Sequence, residues 1–407
     1  MWCSSARTCG MSGAGIALHS AADAVLANPA GVARSDNSVH IGVGWMAWMP
    51  MTVDYNDENG FGLVNDTPKQ TNPDKMFYEG TLAVSYRLSD DWVVAFGGGG
   101  TGGIGGKYRE PRFNIAATGD VNGDSGYDTE TMLGILSFYP SVAWTPSDSL
   151  ALGASVVASH AMFKSDSAVF KADTDGGVID GVAAFDIVQT AGRKENDHAH
   201  GAGLRLGFIW DINKKWSIGG AAQTPTWFES FKKYDDLLMA PINVPAYTQL
   251  GVVWRGSDKY LIALDFRYQF YRFVKLLNTT PDNGGFGWSD AKEIMLGGTY
   301  FLNPSLELRA GGSWSPNIIE ENEIFANAAS PLVDTWRFDA GFGYGMGGKH
   351  DGKGHLSHKH HLDFDAYFVV PGERREDGTG GFVSQIGKGT THGHDMVGVR
   401  FGYHYQY

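Results

Sequence analysis

The feature that most constrains this chain is a strict alternation of apolar and polar side chains in many separate segments. In the last segment, Val397, Val399 and Phe401 alternate with Gly398 and Arg400. Successive side chains of a β-strand point to opposite faces of the sheet, so the alternation predicts strands with one apolar face and one polar face. Because the pattern recurs along most of the chain, it predicts an all-β protein.

Two further features favour a membrane barrel over a soluble sandwich. The alternating segments approach the roughly 9–11 residues that a tilted membrane-spanning strand requires. Their connections also alternate in length, since short turns such as 89–91 and 146–148 are followed by long polar loops such as 110–131 and 171–198. Short periplasmic turns and long external loops are typical of outer-membrane barrels. We therefore expect a transmembrane antiparallel β-barrel in the bacterial outer membrane.

The alternating segments number fourteen. An even count returns the chain to the side on which the first strand began, and closure removes the unpaired strand edges that lipid cannot satisfy. The predicted strands centre on 39–54, 77–88, 92–109, 132–145, 150–170, 199–212, 216–231, 247–256, 260–274, 292–302, 305–315, 335–346, 361–370 and 395–407.

Composition excludes several other classes of protein. The 407 residues include 56 glycines, 13% are aromatic and only 19% are charged, which suits many short strands better than a helical bundle. The net charge of −13 argues against a nucleic-acid partner. No stretch approaches the roughly 18 uninterrupted apolar residues of a membrane helix. No signal peptide is visible at the start, so we expect the numbering to begin near a processed or trimmed N-terminus.

The first 37 residues do not show the strand pattern. Small residues are frequent here, and Asn28-Pro29-Ala30-Gly31 favours a turn. Apolar residues are interspersed with small ones rather than with charges, which favours a packed segment over a disordered tail. We therefore predict an N-terminal plug at 1–37 and a barrel at 38–407. Cys3 and Cys9 are either unpaired thiols or, in an oxidising compartment, a small disulfide loop.

Several of these features resemble the FadL/TodX family of outer-membrane transporters. The resemblance lies in the glycine-rich start, the Ala/Asp stretch at 21–27, the turn at 28–31, the Gln-Thr-Pro-Thr stretch at 223–226 and the aromatic C-terminus. It implies a plug inside a fourteen-stranded barrel and passive uptake of a hydrophobic small molecule, either a long-chain fatty acid or an aromatic hydrocarbon. We expect a monomer in contact with outer-membrane lipid, without a cofactor or metal.

The third predicted strand is unusually rich in glycine. Glycine inside a strand weakens it and often marks a bulge or kink. In the family that the chain resembles, the third strand is kinked and opens the barrel sideways; a crowded interior neighbour is the alternative reason for so many glycines. The resemblance implies a lateral opening at Gly97, Gly98, Gly99, Gly100, Gly102, Gly103, Gly105 and Gly106.

Two of the predicted long loops are unusually apolar. Exposed apolar clusters often mark binding sites. In the resembling family the corresponding loops form a groove that first captures ligand, and packing of the two loops as a lid is compatible with that role. The candidate capture residues are Val182, Phe185 and Ile187 in one loop and Tyr234, Leu237, Leu238, Met239 and Ile242 in the other.

Charged residues recur on the polar strand faces, where we expect most of them to form ion pairs that offset desolvation. Arg205, Arg267 and Arg400 are candidates for contact with a carboxylate headgroup, since guanidinium binds carboxylate in a bidentate way. A histidine-rich connection at 350–361 precedes the thirteenth strand. Imidazole is a common metal ligand, but the spacing matches no closed zinc pattern, so a solvated loop is favoured there.

Three other functions remain as alternatives to hydrophobic uptake. A general porin for polar solutes would give large single-channel conductance, and a soluble all-β protein would need no detergent. A barrel enzyme acting on lipid or peptide would need a nucleophile constellation. The sequence contains no Gly-x-Ser-x-Gly, no His-Glu-x-x-His and no phosphate loop, so we expect no catalytic residues.

Overall fold

The computed structural model describes most of the chain. The described residues are 3–48, 51–54, 63–64, 69–72, 76–109, 112–113, 128–166, 168–172, 178–179, 182–183, 185–189, 195–235, 237–327, 335–347 and 359–407.

Fourteen long strands form one closed antiparallel barrel. Each strand pairs with its neighbour in sequence, and the first strand also pairs with the last, with Ser38 opposite both Ser85 and Gln406. The predicted fourteen-stranded barrel is therefore confirmed. The strands are β1 Ser38–Trp48, β2 Met76–Arg87, β3 Trp92–Arg109, β4 Asp128–Ser147, β5 Leu150–Asp166, β6 Asp197–Asp211, β7 Trp216–Gln223, β8 Tyr247–Ser257, β9 Tyr260–Gln269, β10 Ala291–Asn303, β11 Leu306–Trp314, β12 Trp336–Met346, β13 His360–Arg375 and β14 Thr391–Gln406.

Shorter elements lie in the N-terminal segment and in the long connections. The short strands are Met51–Asp54, Leu63–Val64, Gln70–Thr71, Arg112–Phe113, Ala168–Ala172, Val178–Ile179, Val182–Ala183, Phe185–Gln189 and Trp227–Phe228. The α-helices are α1 Ala6–Cys9, α2 Lys275–Asn278 and α3 Phe382–Ile386, and the 3-10 helices are Ala22–Leu26, Pro29–Val32, Lys232–Tyr234, Tyr271–Phe273, Pro281–Asn283 and Phe325–Asn327. None of the helices in the described ranges is both long and apolar enough to span a membrane.

Several strands end earlier than the alternation predicts, including β1 at Trp48 and β5 at Asp166. The seventh strand was expected to continue to residue 231, but it ends at Gln223 because Pro225 has no N–H to donate to the ladder. Pairing with β6 resumes at Trp227–Phe228, opposite Gly201 and Ala202. The ninth strand ends at Gln269, where the chain turns into the 3-10 helix Tyr271–Phe273.

The barrel is apolar outside and polar inside. On β6, Leu204 and Leu206 are 55% and 63% exposed, whereas Arg205 between them is buried. Tryptophans line the outer surface at the short-turn end, where Trp92 stacks on Trp144 with ring centroids 5.7 Å apart. Aromatic girdles of this kind flank the apolar band of outer-membrane barrels. The apolar faces therefore point outward and the ionic faces line the lumen, as the alternation predicts.

Candidate functional site

The N-terminal segment, residues 3–37, lies against the inward faces of the strands. Most residues from 3 to 33 are buried, and Cys3 and Cys9 form a disulfide. The α1 helix contacts β12, β13 and β14, while the 3-10 helices Ala22–Leu26 and Pro29–Val32 contact strands from β1 to β6. The structure therefore shows a packed segment and not a disordered tail. The role of this segment as a plug stays a prediction.

Asp265 on β9 anchors the middle of the N-terminal segment. Its Oδ2 atom accepts hydrogen bonds from the backbone N–H groups of Gly15 at 3.0 Å and Ile16 at 2.9 Å, and from Gln249 Nε2 at 2.8 Å. The turn that presents the two N–H groups needs glycine at position 15, since its φ is +113°. A buried carboxylate with three donors fixes this turn to the wall.

The predicted plug turn is built around Asn28. Its Oδ1 accepts a hydrogen bond from Ala30 N at 3.0 Å and so caps the helix Pro29–Val32, with Pro29 in the first turn, where proline is favoured. Its Nδ2 donates to Ile16 O at 2.8 Å and to Phe208 O on β6 at 3.2 Å. Asn28 therefore holds the segment together and also attaches it to the barrel wall.

A ring of inward-facing glycines makes room for the N-terminal segment. A Cβ atom at Gly207 would lie 2.0 Å from Asn28 Oδ1, and one at Gly153 would lie 2.4 Å from Ala30 N. This ring was not predicted from the sequence, although glycine at an inward position in mid-strand indicates close approach of another backbone. The other members of the ring are Gly97 on β3, Gly219 on β7, Gly251 on β8, Gly297 on β10 and Gly311 on β11.

The expected pairing of lumen charges is confirmed. Arg309 pairs with Glu307 and Asp363, and Asp363 also lies 3.1 Å from His404 Nε2 and 3.1 Å from His361 Nδ1. All five side chains are buried. These buried groups form an ion network that spans β11, β13 and β14.

The three arginines proposed for headgroup contact have different partners. Arg267 pairs with Glu293 at 3.1 Å, and Arg400 pairs with Glu79 at 2.7 Å. Arg205 forms no ion pair with a carboxylate among the described residues. Its guanidinium donates to Gln223 Oε1, to the backbone carbonyls of Val25 and Leu26, and lies 4.2 Å above the Tyr139 ring. Of the three arginines, Arg205 alone has no acidic partner among the described residues of the lumen.

A cavity of about 160 Å³ separates the N-terminal segment from the wall. Its apolar lining includes Ile16, Leu18 and Leu26 from the segment and Tyr139 and Tyr247 from the strands. Its polar lining includes Arg205, Gln223, Gln249, Arg267 and Gln269 on one side. An apolar space with a few converging polar groups is the usual form of a small-molecule site.

The cavity reaches β3 at Gly100 and Thr101, where the wall is interrupted. The β2–β3 ladder runs from the pair Arg87–Val93 to the pair Thr81–Gly99 and ends there. Beyond it, 76–80 pairs only with β1 and 100–109 only with β4, among the strand residues that the structure describes. Asn72 Oδ1 accepts from Lys107 N at 3.3 Å, which bounds this gap at the long-loop end.

The glycines of β3 have different neighbours. A Cβ at Gly97 would lie 2.6 Å from Val25, so this glycine accommodates the N-terminal segment, as the crowded-neighbour alternative predicts. Gly98 faces Phe138, and Gly99 is the last residue paired with β2. The register to β4 shifts between Gly100 and Gly102, which is a bulge. Beyond the bulge, Gly103, Gly105 and Gly106 remain paired with β4 alone.

The second apolar loop folds into the mouth of the barrel. Tyr234, Leu237 and Ile242 are buried in one apolar cluster with the inward-facing Ile135 of β4 and Phe163 of β5. Leu238 and Met239 pack against the same cluster and are partly buried. Val244 from this loop also lines the cavity, so the loop covers the route from the mouth to the cavity. These residues form a buried cluster with the wall strands rather than an exposed patch, and their role in ligand capture stays a prediction.

Other predicted positions fall partly outside the described residues. Val182 lies in the short strand Val182–Ala183, and Phe185 and Ile187 lie in Phe185–Gln189, but their side chains lie outside the described part of the chain. His350, His355 and His358 also lie outside it. His360 and His361 begin β13 instead of belonging to the connection, and His361 joins the buried ion network.

A closed barrel that is apolar outside and polar inside, with a segment packed in its lumen, defines an outer-membrane channel protein. Residues 3–350 match the model of the family described as "Outer membrane protein transport protein (OMPP1/FadL/TodX)". The chain belongs to this family, which confirms the predicted resemblance and the predicted outer-membrane location. A search of curated protein sequences found no match.

Solved structures share the fold at low sequence identity. The P. putida toluene transporter TodX matches with a TM-score of 0.69 and 14% identity, over 98% of this chain and 97% of that one. A Pseudomonas aeruginosa FadL homologue matches with a TM-score of 0.65 and 13% identity, over 100% and 99%. The Ralstonia pickettii toluene transporter TbuX gives 0.62 and 15%, over 99% and 98%. At these identities the likeness shows the fold.

Proposed function

We propose that this protein takes up a hydrophobic compound of about one aromatic ring and releases it sideways through the β2–β3 gap. The family comprises outer-membrane transport channels for hydrophobic compounds, and the substrate and the exit route are the new elements of the proposal. The observation that carries it is that the cavity touches Gly100 and Thr101, where the wall ladder stops. A ligand in the cavity therefore lies beside the break in the wall.

The size of the cavity favours a ring over a chain. A protein cavity of roughly 150 Å³ holds one benzene molecule, and the space here is about 160 Å³. A long acyl chain would need the N-terminal segment to move away from Tyr139 and Tyr247. Capture is proposed at the lid formed by Tyr234, Leu237 and Ile242, whose apolar side chains lie above the cavity and would have to part to admit the ligand.

The proposed surroundings of the barrel are lipid, and the proposed state is a monomer. Apart from the segments at the β2–β3 gap, the ladder of the described barrel strands leaves no edge that a second copy could extend. The outward leucines and phenylalanines provide a continuous surface for acyl chains.

A cysteine pair across the gap tests the lateral exit. The Cβ of Glu79 lies 4.0 Å from the position that a Cβ at Gly100 would take, within the roughly 3.5–4.5 Å of disulfides. We expect oxidised Glu79→Cys/Gly100→Cys protein to lose uptake of a radiolabelled monocyclic aromatic such as toluene in intact cells. Reduction should restore uptake, because the bond alone ties the two strands together at the break in the ladder.

Three controls make the cysteine experiment decisive. The Glu79→Cys single variant measures the effect of losing the contact with Arg400. The Gly100→Cys single variant measures the effect of the added side chain. Wild-type protein under the same reductant accounts for the native Cys3–Cys9 bond. Unchanged uptake by fully crosslinked protein would place the exit elsewhere.

Arg205 distinguishes a ligand that carries a carboxylate from an uncharged hydrocarbon. We expect Arg205→Gln to weaken binding of an aromatic carboxylate such as benzoate by about 1.5–3 kcal/mol, the usual worth of a hydrogen bond to a charged group. Toluene carries no charge, so its binding should change much less. Fluorescence or calorimetric titration of detergent-solubilised protein measures both, with Arg267→Gln as the matched control, because Arg267 already has Glu293. Equal losses for both ligands would remove Arg205 from headgroup recognition.

A further inference from the structure

Three histidines form a cluster on the outer surface of the barrel at the long-loop end. His200 on β6 lies directly opposite His160 on β5, and His198 is two residues before His200 on the same face. His160 Nε2 and His198 Nδ1 are 3.1 Å apart, and the ring centroids of His160 and His200 are 5.0 Å apart. This histidine cluster is separate from the lumen, the cavity and the wall gap.

A carboxylate lies beside the histidine cluster. Glu229 Oε2 is 3.6 Å from His200 Nδ1, and both side chains are 71% exposed. Glu229 is held in place by its backbone, because its N–H donates to His200 O at 3.0 Å and the preceding Phe228 pairs with Gly201. Three imidazoles and one carboxylate therefore share one exposed surface at the long-loop end of the barrel.

We propose that the histidine cluster and Glu229 bind a divalent transition metal ion, with Zn²⁺ as the fitting example. Imidazole and carboxylate are ligands that zinc accepts, and four of them suit its tetrahedral preference. Residues i and i+2 of a strand share a face, and directly opposed residues have Cβ atoms about 4.5–5.5 Å apart, so three such imidazoles can surround one ion. The exposed rings of His198 and His200 can rotate from their present contacts to do so.

The charge of the surroundings favours a cation over an anion. Protonated histidines could attract a phosphate group, but the carboxylate of Glu229 at 3.6 Å from His200 repels an anion and attracts a metal ion. The neighbouring Lys164 and Lys233 are each paired with an acid, Glu130 and Glu195, at 2.8 Å.

The metal would join the lid loop to the barrel wall. Glu229 begins the connection whose next residues, Phe231, Tyr234 and Leu237, form the buried cluster in the mouth. His160 and His198 belong to the wall strands. A bound ion would add a further attachment between the two and hold the lid in its closed position.

Zinc titration of the full-length protein in detergent tests the proposal. A background variant carrying His350→Ala, His355→Ala and His358→Ala removes the histidine-rich connection as a competing site. We expect this background to bind one Zn²⁺ that His198→Ala/His200→Ala weakens by at least about tenfold, since loss of even an outer-shell partner costs that much. Glu229→Gln should give a smaller loss.

The matched control is His360→Ala, which removes a histidine from the outward face of β13, where His360 contacts Tyr403. It should leave zinc affinity unchanged. Hydrogen exchange supplies a second readout, because Zn²⁺ should slow exchange at 228–234 in the background protein only. Absence of binding by the background, or equal affinity in the double variant, would overturn the proposal. Histidine-dependent binding of inorganic phosphate without zinc binding would also overturn it and would mark an anion surface.

Discussion

Replacing Arg309 with methionine is expected to lower the free energy of unfolding of the barrel by about 3–5 kcal/mol, the usual cost of removing one partner from a buried ion pair. Arg309 lies inside the lumen on β11 and is buried together with its partners Glu307 and Asp363. Methionine fills much of the same space but carries no charge. Two carboxylates would then share the low-dielectric lumen without the arginine that pairs with both of them.

Reversible urea unfolding in lipid vesicles or detergent measures the loss, with tryptophan fluorescence as the signal. Arg309→Lys keeps the charge and should cost less. The triple variant Arg309→Met/Glu307→Gln/Asp363→Asn should recover part of the loss, because neutral side chains no longer need a counterion. A loss below about 1 kcal/mol for Arg309→Met, in the range of an exposed ion pair, would contradict the buried network.

The barrel was predictable because its signal is local and repeated. Leu204, Arg205 and Leu206 already show the two faces within three residues, and a strand can present them in only one way. The alternation of short turns with long loops supplied the direction of every strand. The early end of β7 was also visible in the sequence as Pro225, but apolar residues beyond it masked the interruption.

The candidate site was less predictable because its contacts join residues far apart in the chain. Arg400 meets Glu79 only because the last strand closes on the first and the second lies beside it. Sequence patterning gave the inward direction of Arg205, Arg267 and Arg400 but not their partners. The glycines of β3 were all assigned to the wall opening, whereas Gly97 accommodates Val25 of the N-terminal segment.

Replacing Asp265 with alanine is expected to release the middle of the N-terminal segment and to let ions pass the barrel. Three donors converge on Asp265 Oδ2, two of them the backbone N–H groups of Gly15 and Ile16. Hydrogen bonds to a charged acceptor contribute about 1.5–3 kcal/mol each, so this one side chain carries a large share of the attachment. Asn28 and Arg205 still hold the later part of the segment, so we expect brief openings rather than a permanently open pore.

Single-channel recording in planar bilayers measures the effect: wild-type protein should conduct little, and Asp265→Ala should show frequent openings. The matched control is Asp265→Asn. All three donors use Oδ2, and Oδ1 has no hydrogen-bond partner among the described residues. An asparagine oxygen at the Oδ2 position therefore keeps the acceptor, while the charge is lost and an NH2 group takes the buried Oδ1 position. Its openings should fall between those of the wild type and the alanine variant.

If Asp265→Ala conducts no more than the wild type while remaining folded, the N-terminal segment does not depend on this anchor to obstruct the lumen. If the wild type already conducts strongly, the segment is not a plug and the general-porin alternative gains support.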